Sequence, residues 1–251
     1  MALSSLHVAH LRPTDSEQYL LLAAHHQSLA ISLLQSALTH INEENCHALF
    51  ACSHIISKYA FASLPKPESH VFSPDIGAVS GFIPLLRGAF SIHDYALEWL
   101  SVGPLSFCLR KRLERAPEFN QIPNDAYFSR LLSLLATDSN GDAQTCCEAL
   151  NGFRRLLDKA NTPNGALSAR SLAYSWPVQV PQRYITLIHE RKPEALVVMA
   201  HYCVMLKMID SFWYMKGCAS SVLDQCRKNL SDKWLPYINW PLSIVGLPDD
   251  E

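Results

Sequence analysis

The side chains best suited to bind a small molecule lie between residues 201 and 217. A run of three aromatic residues at 212–214 is followed by methionine, lysine and glycine, and a histidine precedes it at position 201. Such a run lines apolar pockets, where an indole N–H or a phenol O–H orients the ligand, but it is equally typical of core packing. The candidate ligand-binding residues are therefore Phe212, Trp213, Met215, Lys216, Gly217 and His201.

Signatures of catalysis are missing from the sequence. There is no phosphate-binding glycine loop, no GxSxG and no HExxH. His93, Asp94 and Glu98 would bring an imidazole near carboxylates, yet their pattern favours a solvated helix face. His7 and His10 supply two of the ligands a metal site needs, which is too few without a third. We assign no catalytic residue, no metal and no cofactor, and leave open whether the protein is an enzyme.

Cysteine content and charge restrict the class of protein. None of the eight cysteines forms a CxxC pair, which argues against a zinc site and predicts reduced, buried thiols. The net charge of −2 provides no basic face for nucleic acid, so we expect no direct binding of DNA or RNA. The first residues lack the basic and apolar regions of a signal peptide, which predicts an intracellular protein of the cytoplasm or nucleus.

The candidate site depends on one apolar stretch, residues 193–217, which we predict to be a buried central helix. Pro193 and Glu194 form a suitable first turn, and the residues that follow are apolar almost all the way round. Lys207 and Asp210 make a membrane span improbable and are spaced to pair with each other. His201 is expected to be buried and hydrogen-bonded in a structural role. Gly217 either ends the helix or permits close approach of a neighbour.

The remaining pattern predicts an all-α protein of about ten helices in a single domain, residues 1–251, because no alternating strand pattern of useful length occurs. Thr14 and Glu17 have the spacing of a capping box. A helix is expected over 84–100, and Trp176-Pro177 marks a crossing segment between helices. Turn signals lie at 65–67, 74–77, 117, 138–141 and 161–165.

The order of several motifs resembles the C-terminal regulatory domain of the fungal zinc-cluster transcription factors, of the sterol-sensing type. The stretches are PEALVVMAHYCVMLKMIDSFWYMKG, the closing WLPYINWPLSIVGL, and the earlier LHVAHLRPTDSEQYLLLAAHHQSLAISLLQSAL, NCHALFACSHIISKYAFA, IPLLRGAFSI and WLSVGPL. The resemblance implies an all-helical regulatory domain whose apolar pocket holds ergosterol in sterol-sensing members. It also implies that Trp213, Met215, Lys216 and Gly217 lie near the edge of that pocket.

This sequence departs from the family pattern in two respects. The six-cysteine DNA-binding cluster is absent, and Met1 falls inside what corresponds to the second or third helix of the regulatory domain. Missing opening helices would leave the apolar cavity open on one side.

Three functions are compatible with these observations. The first is a regulatory module that binds a hydrophobic small molecule, sterol-, terpenoid- or polyketide-like. The second is an enzyme on the same fold, a cyclase or isomerase of a fungal secondary-metabolite pathway that uses the apolar cavity. The third is an interaction protein that forms a homodimer or titrates a full-length regulator through an exposed apolar helix face. We expect the first, with a homodimer as an additional possibility and no membrane span.

Overall fold

The computed structural model describes residues 1–64, 81–109, 122–136, 141–161 and 168–247. These residues form thirteen α-helices and two 3-10 helices and contain no strand, so the all-α prediction is confirmed. The α-helices are α1 (Ala2–Leu11), α2 (Ser16–Ala37), α3 (Cys46–Ala62), α4 (Phe82–Tyr95), α5 (Leu97–Val102), α6 (Ser106–Leu109), α7 (Asp125–Leu135), α8 (Gly141–Asn161), α9 (Ala169–Gln179), α10 (Gln182–His189), α11 (Pro193–Lys207), α12 (Cys218–Lys228) and α13 (Asn239–Val245). The 3-10 helices are Pro13–Asp15 and Leu235–Ile238.

The described helices belong to two compact units. Helices α1 to α6 form the first unit, and α7 to α13 form the second. The single domain predicted from the sequence for residues 1–251 stays a prediction. The turns expected at 65–67, 74–77, 117 and 138–140, and most of that at 161–165, lie outside the described residues.

In the first unit, helix α3 packs against α4 and α5. The residues of this core are Cys46, Leu49, Phe50, Ile92, Ala96 and Leu100. The helix predicted over 84–100 is divided in two, because the backbone of Ala96 leaves the helical region at φ −103° and ψ 14°. Leu86 and Ala96 are buried on either side of this break, whereas Phe90 and Trp99 are half-buried.

The capping box predicted at Thr14 and Glu17 is wrong. Pro13 begins a 3-10 turn that includes Thr14, whereas a capping side chain needs an extended backbone at its own residue. Helix α2 therefore starts at Ser16, and its first turn has no side-chain cap.

The second unit is built around α11. Every residue from 195 to 206 is buried, as expected for a helix without a polar face, and α8, α9, α10, α12 and α13 surround it. The predicted start at Pro193 is correct, but the predicted end at Gly217 is wrong, because the helix ends at Lys207 and the chain continues through turns.

The prediction that Trp176-Pro177 lies in a crossing segment between helices is also wrong, because both residues lie inside α9. A proline within a helix lacks the N–H that would bond to the carbonyl four residues earlier. Here that carbonyl belongs to Ala173, and the hydroxyl of Tyr202 on α11 donates to it at 2.7 Å. The indole of Trp176 stacks on the ring of Tyr202 with 4.4 Å between centroids and donates to Ala149 O at 2.9 Å. The proline is tolerated because α11 supplies the missing donor.

Candidate functional site

The segment predicted to bind a ligand, residues 212–217, lies in the turns that connect α11 to α12. Asp210 organises these turns: its Oδ2 lies 3.6 Å from Lys207 Nζ, and its Oδ1 accepts a hydrogen bond of 2.8 Å from the backbone N–H of Gly217. The predicted pairing of Lys207 with Asp210 is thereby confirmed.

Gly217 has φ 78°, the left-handed region that other residues adopt only with strain, and it forms the N-cap of α12. The glycine is therefore needed for the backbone conformation between the two helices. It does not end α11, which was one of the two roles considered for it.

The aromatic residues of the turn contact one another and helix α9. The ring of Phe212 stacks on that of Tyr214 with centroids 5.7 Å apart, and Trp213 meets Tyr214 edge-on at 5.9 Å. The guanidinium carbon of Arg170 lies 5.0 Å above the centre of the Phe212 ring, a cation–π geometry. The turn therefore combines flat apolar surfaces with a cation.

Exposure divides the predicted residues of this segment into three groups. Met215 is fully buried, Phe212, Trp213 and Gly217 are half-buried, and Lys216 is exposed. Phe212 and Trp213 thus keep part of their surface accessible, whereas Met215 belongs to the core.

His201 lies in a different environment, enclosed by the second unit with no exposed surface. Its Nε2 lies 2.8 Å from the hydroxyl oxygen of Tyr127 on α7, and its Nδ1 lies 2.8 Å from the carbonyl oxygen of Val197. The rings of Phe153 and Trp240 pack around the imidazole, with centroids 6.1 Å and 5.8 Å away. The prediction of a buried, hydrogen-bonded histidine is confirmed, and these contacts belong to segments other than 212–217.

The hydrogen bonds of His201 fix the proton on Nδ1, because the carbonyl of Val197 can only accept. In the neutral ring Nε2 is an acceptor, and the single proton of the Tyr127 hydroxyl is then directed to Nε2 at 2.8 Å rather than to the carbonyl of Tyr237 at 3.2 Å. Burial lowers the pKa of His201 from 6.5 to about 4, and burial raises the pKa of Tyr127 to about 12. Both groups are therefore neutral near pH 7, and the pair serves packing rather than proton transfer to solvent.

The residues that enclose His201 were not identified from the sequence. Tyr127 is 74 positions away from His201, and the carbonyl of Tyr237, 3.2 Å from the Tyr127 hydroxyl, is 110 positions from Tyr127. No local spacing links such distant residues. The only available signal was an aromatic residue in the amphipathic helix α7, which predicts burial but not its partner.

A separate cleft opens beside the start of α11, with a volume of about 190 Å³. Its lining residues are Asp142, Ala143, Cys146, Leu187, Lys192, Pro193 and Glu194. The guanidinium of Arg183 donates to both carboxylate oxygens of Asp142, at 2.8 and 2.9 Å, and this lowers the pKa of that carboxyl. Ligand pockets usually enclose about 300 to 1,000 Å³ and are mostly apolar. This charged cleft is too small and too polar for a sterol-sized ligand.

The imidazole–carboxylate candidates on α4 differ in exposure: His93 is half-buried and Asp94 is exposed. Nδ1 of His93 is 2.9 Å from Asp94, whose side chain is 76% exposed, in agreement with a solvated helix face. None of the described helices combines the length and the apolar character needed to cross a bilayer.

Comparison with known proteins relates the chain to a fungal regulator. It is 22% identical over 268 aligned positions to a Zn(2)-C6 fungal-type transcription factor of Gibberella zeae, a match that covers 98% of this chain and 52% of the relative. The chain thus spans about half the length of the curated relative it matches. No protein-family model matches the chain, and no solved structure does either. The match supports a relation to the fungal transcription factors, whereas the sterol-sensing type stays a prediction.

Proposed function

We propose that this chain is a regulatory module of fungal transcription-factor type that binds a hydrophobic small molecule and makes no direct contact with nucleic acid. The observation that carries the proposal is the likeness of nearly the whole chain to about half of a Zn(2)-C6 fungal-type transcription factor. A module of this kind acts inside the cell, in the cytoplasm or nucleus, on a sterol-, terpenoid- or polyketide-like ligand.

The ligand would lie against the turn between α11 and α12. Phe212 and Trp213 are half-buried there, so an apolar ligand that covers them removes further aromatic surface from water. Arg170 and Lys216 provide donors for one polar atom of the ligand, such as a hydroxyl or carboxylate oxygen. Met215 is fully buried and so is not available to the ligand without a change in the turn.

His201 takes a structural part in this proposal. Both of its ring nitrogens already have partners inside the second unit, and the ring has no exposed surface. For the same reason His201 does not support the cyclase or isomerase alternative, because an imidazole that is enclosed and bonded on both sides has no access to a substrate.

Native mass spectrometry and lipid extraction of the purified protein test ligand binding directly. We expect an apolar molecule to co-purify, or a sterol or terpenoid to bind with a dissociation constant below about 100 μM, roughly −5.5 kcal/mol. If nothing apolar co-purifies and no member of such a panel binds in that range, the proposed function is wrong.

Variants test the location of the site. Trp213→Ala and Gly217→Asp should each weaken binding at least tenfold, about 1.4 kcal/mol, in protein that remains folded by circular dichroism. Tyr95→Ala is the matched control, because it removes an aromatic side chain that is 67% exposed in the other compact unit. Binding that is unchanged in both turn variants would place the ligand elsewhere in the molecule.

A further inference from the structure

The cleft beside the start of α11 is lined by two opposite charges that no ion pair neutralises. Arg183 binds both carboxylate oxygens of Asp142 and also donates to Glu190, so these three groups satisfy one another. Glu194 and Lys192 line the same cleft, and neither forms an ion pair with the other or with any other residue that the structure describes. One negative and one positive charge therefore remain for a ligand.

The positive charge lies at the positive end of a long helix. Lys192 is the N-cap of the 15-residue helix α11, and this helix start has no side-chain cap. The dipole at a helix N-terminus attracts anions, and an ammonium group at the same position adds a full charge to that attraction. This end of the cleft therefore favours the carboxylate of a ligand.

Helix α8 contributes a buried thiol and a second carboxylate to the cleft. Cys146 is 1% exposed, lines the cleft and has no hydrogen-bond partner among the residues that the structure describes. Burial raises the pKa of Cys146 to about 12, and the nearby charges of Glu194 and Asp142 add to this effect. The thiol is therefore neutral near pH 7, and its sulfur and the two carboxylates are acceptors for an ammonium group.

The remaining lining of the cleft is aliphatic. Ala143, Leu187 and Pro193 form this part of the surface. The volume of about 190 Å³ is about six times the share of one water molecule in the liquid. A molecule with one short carbon chain and two small charged groups fits such a space.

We propose that this cleft binds a small zwitterion, an α-amino acid with a short aliphatic side chain. Its ammonium group would lie beside Glu194 and Asp142, its carboxylate beside Lys192, and its side chain against Leu187. A zwitterion neutralises both remaining charges, whereas a simple amine or a simple acid leaves one of them without a partner. Binding in this cleft is independent of the proposed apolar-ligand site in the turn at 212–217.

Isothermal titration calorimetry of the whole chain with L-alanine, L-valine and L-leucine tests the proposal. At least one of these amino acids should bind with a dissociation constant below about 1 mM in titrations up to about 10 mM. The matched probes are isobutylamine and isovalerate for L-valine, and isoamylamine and isocaproate for L-leucine. Each probe lacks one of the two charged groups and should bind at least tenfold more weakly than its amino acid.

Variants that remove one charge locate the binding site. Glu194→Gln and Lys192→Gln should each weaken amino-acid binding at least tenfold. Because Lys192 is exposed, Lys192→Gln is expected to keep the unfolding midpoint of the wild type. Glu148→Gln and Lys233→Gln are the controls, since they remove the same charges at exposed positions of the same compact unit outside the cleft. Both controls should bind like the wild type.

Several results would overturn this assignment. If none of the three amino acids binds up to about 10 mM, the cleft holds only solvent. If an amine or an acid binds as tightly as its amino acid, the ligand is a simple ion and not a zwitterion. If binding survives both Glu194→Gln and Lys192→Gln, the amino acid binds elsewhere on the protein.

Discussion

The hydroxyl group of Tyr202 donates a hydrogen bond of 2.7 Å to the carbonyl oxygen of Ala173. In an uninterrupted helix that carbonyl would accept from the N–H of the residue at 177, but a proline stands there. A side chain of the central helix therefore replaces a backbone donor in its neighbour. The stacked rings of Trp176 and Tyr202 hold the two helices at the distance this bond requires.

The first prediction concerns this replacement. Tyr202→Phe should lower the free energy of unfolding by about 1 to 3 kcal/mol, because it leaves a buried carbonyl without a donor. In a Pro177→Ala background the same change should cost less, since the N–H of alanine can serve Ala173. A double-mutant cycle by urea denaturation measures the difference, and equal costs in the two backgrounds would contradict the proposed compensation.

The second prediction concerns the enclosed histidine. His201→Phe should destabilise the protein by one or more kcal/mol, because the imidazole's hydrogen bonds to Val197 O and the Tyr127 hydroxyl are lost inside the core and only the longer contact of 3.2 Å with Tyr237 O remains for the hydroxyl. His189→Gln is the control, since His189 is exposed at the end of α10 in the same unit and should change stability little. A His201→Phe variant as stable as the wild type but deficient in ligand binding would show that His201 belongs to the ligand-binding site.

The third prediction is a pH dependence. The pKa of His201 is about 4 in the folded protein and 6.5 ordinarily, so between these values the unfolded chain binds the extra proton. The contribution of neutral His201 to the free energy of unfolding is complete above about pH 6.5. It is lost as the pH falls toward 4, by about 3 kcal/mol in total.

Guanidinium titrations between pH 4 and 7.5 measure this dependence. A His201→Asn variant has no titrating group at this position, so its stability should fall less steeply over the same interval, by up to about 1.4 kcal/mol per pH unit. Identical slopes in variant and wild type would show that His201 titrates normally in the folded protein.

The fourth prediction concerns the turn between α11 and α12. Gly217→Ala should lower the free energy of unfolding by about 1 kcal/mol or more, because a residue with a side chain is strained at φ 78°. Gly217→Asn should cost less, since asparagine tolerates the left-handed region. Thermal unfolding compares the stability of the two variants. An alanine variant as stable as the asparagine variant would mean that the backbone of the turn adopts another conformation to accommodate alanine.

The fifth prediction uses two glycines of the first unit. A Cβ on Gly88, inside α4, would meet no atom within 4 Å, whereas one on Gly103 would overlap the imidazole of His47. Gly88→Ala should therefore stabilise by about 0.5 to 1 kcal/mol, and Gly103→Ala should destabilise by about 1 to 3 kcal/mol. Adding His47→Ala to the Gly103→Ala variant should recover part of the stability that Gly103→Ala loses. A Gly103→Ala variant that is fully stable would show that His47 moves aside freely.

The sequence alone determined the fold class and the position of the buried helix. Helical periodicity and the absence of strand alternation are local properties, so the all-α class and the start at Pro193 followed from them directly. The run without a polar face required burial, and every residue from 195 to 206 is buried. The pairing of Lys207 with Asp210 also followed, because a spacing of three residues brings the two side chains together across one turn of the chain, here the turn that follows α11.

Only the tertiary structure decided where helices end and which distant residues meet. Helix α11 stops at Lys207 although the sequence remains apolar, because Asp210 bonds to the backbone of Gly217 and stabilises a turn that periodicity does not reveal. Helix α9 continues through Pro177 because Tyr202, 29 positions from Ala173, supplies the lost donor. The contact between His201 and Tyr127 likewise joins two separate helices, so it depends on how the helices pack in three dimensions. A single sequence indicates which side chains are buried far better than it indicates which side chains they touch.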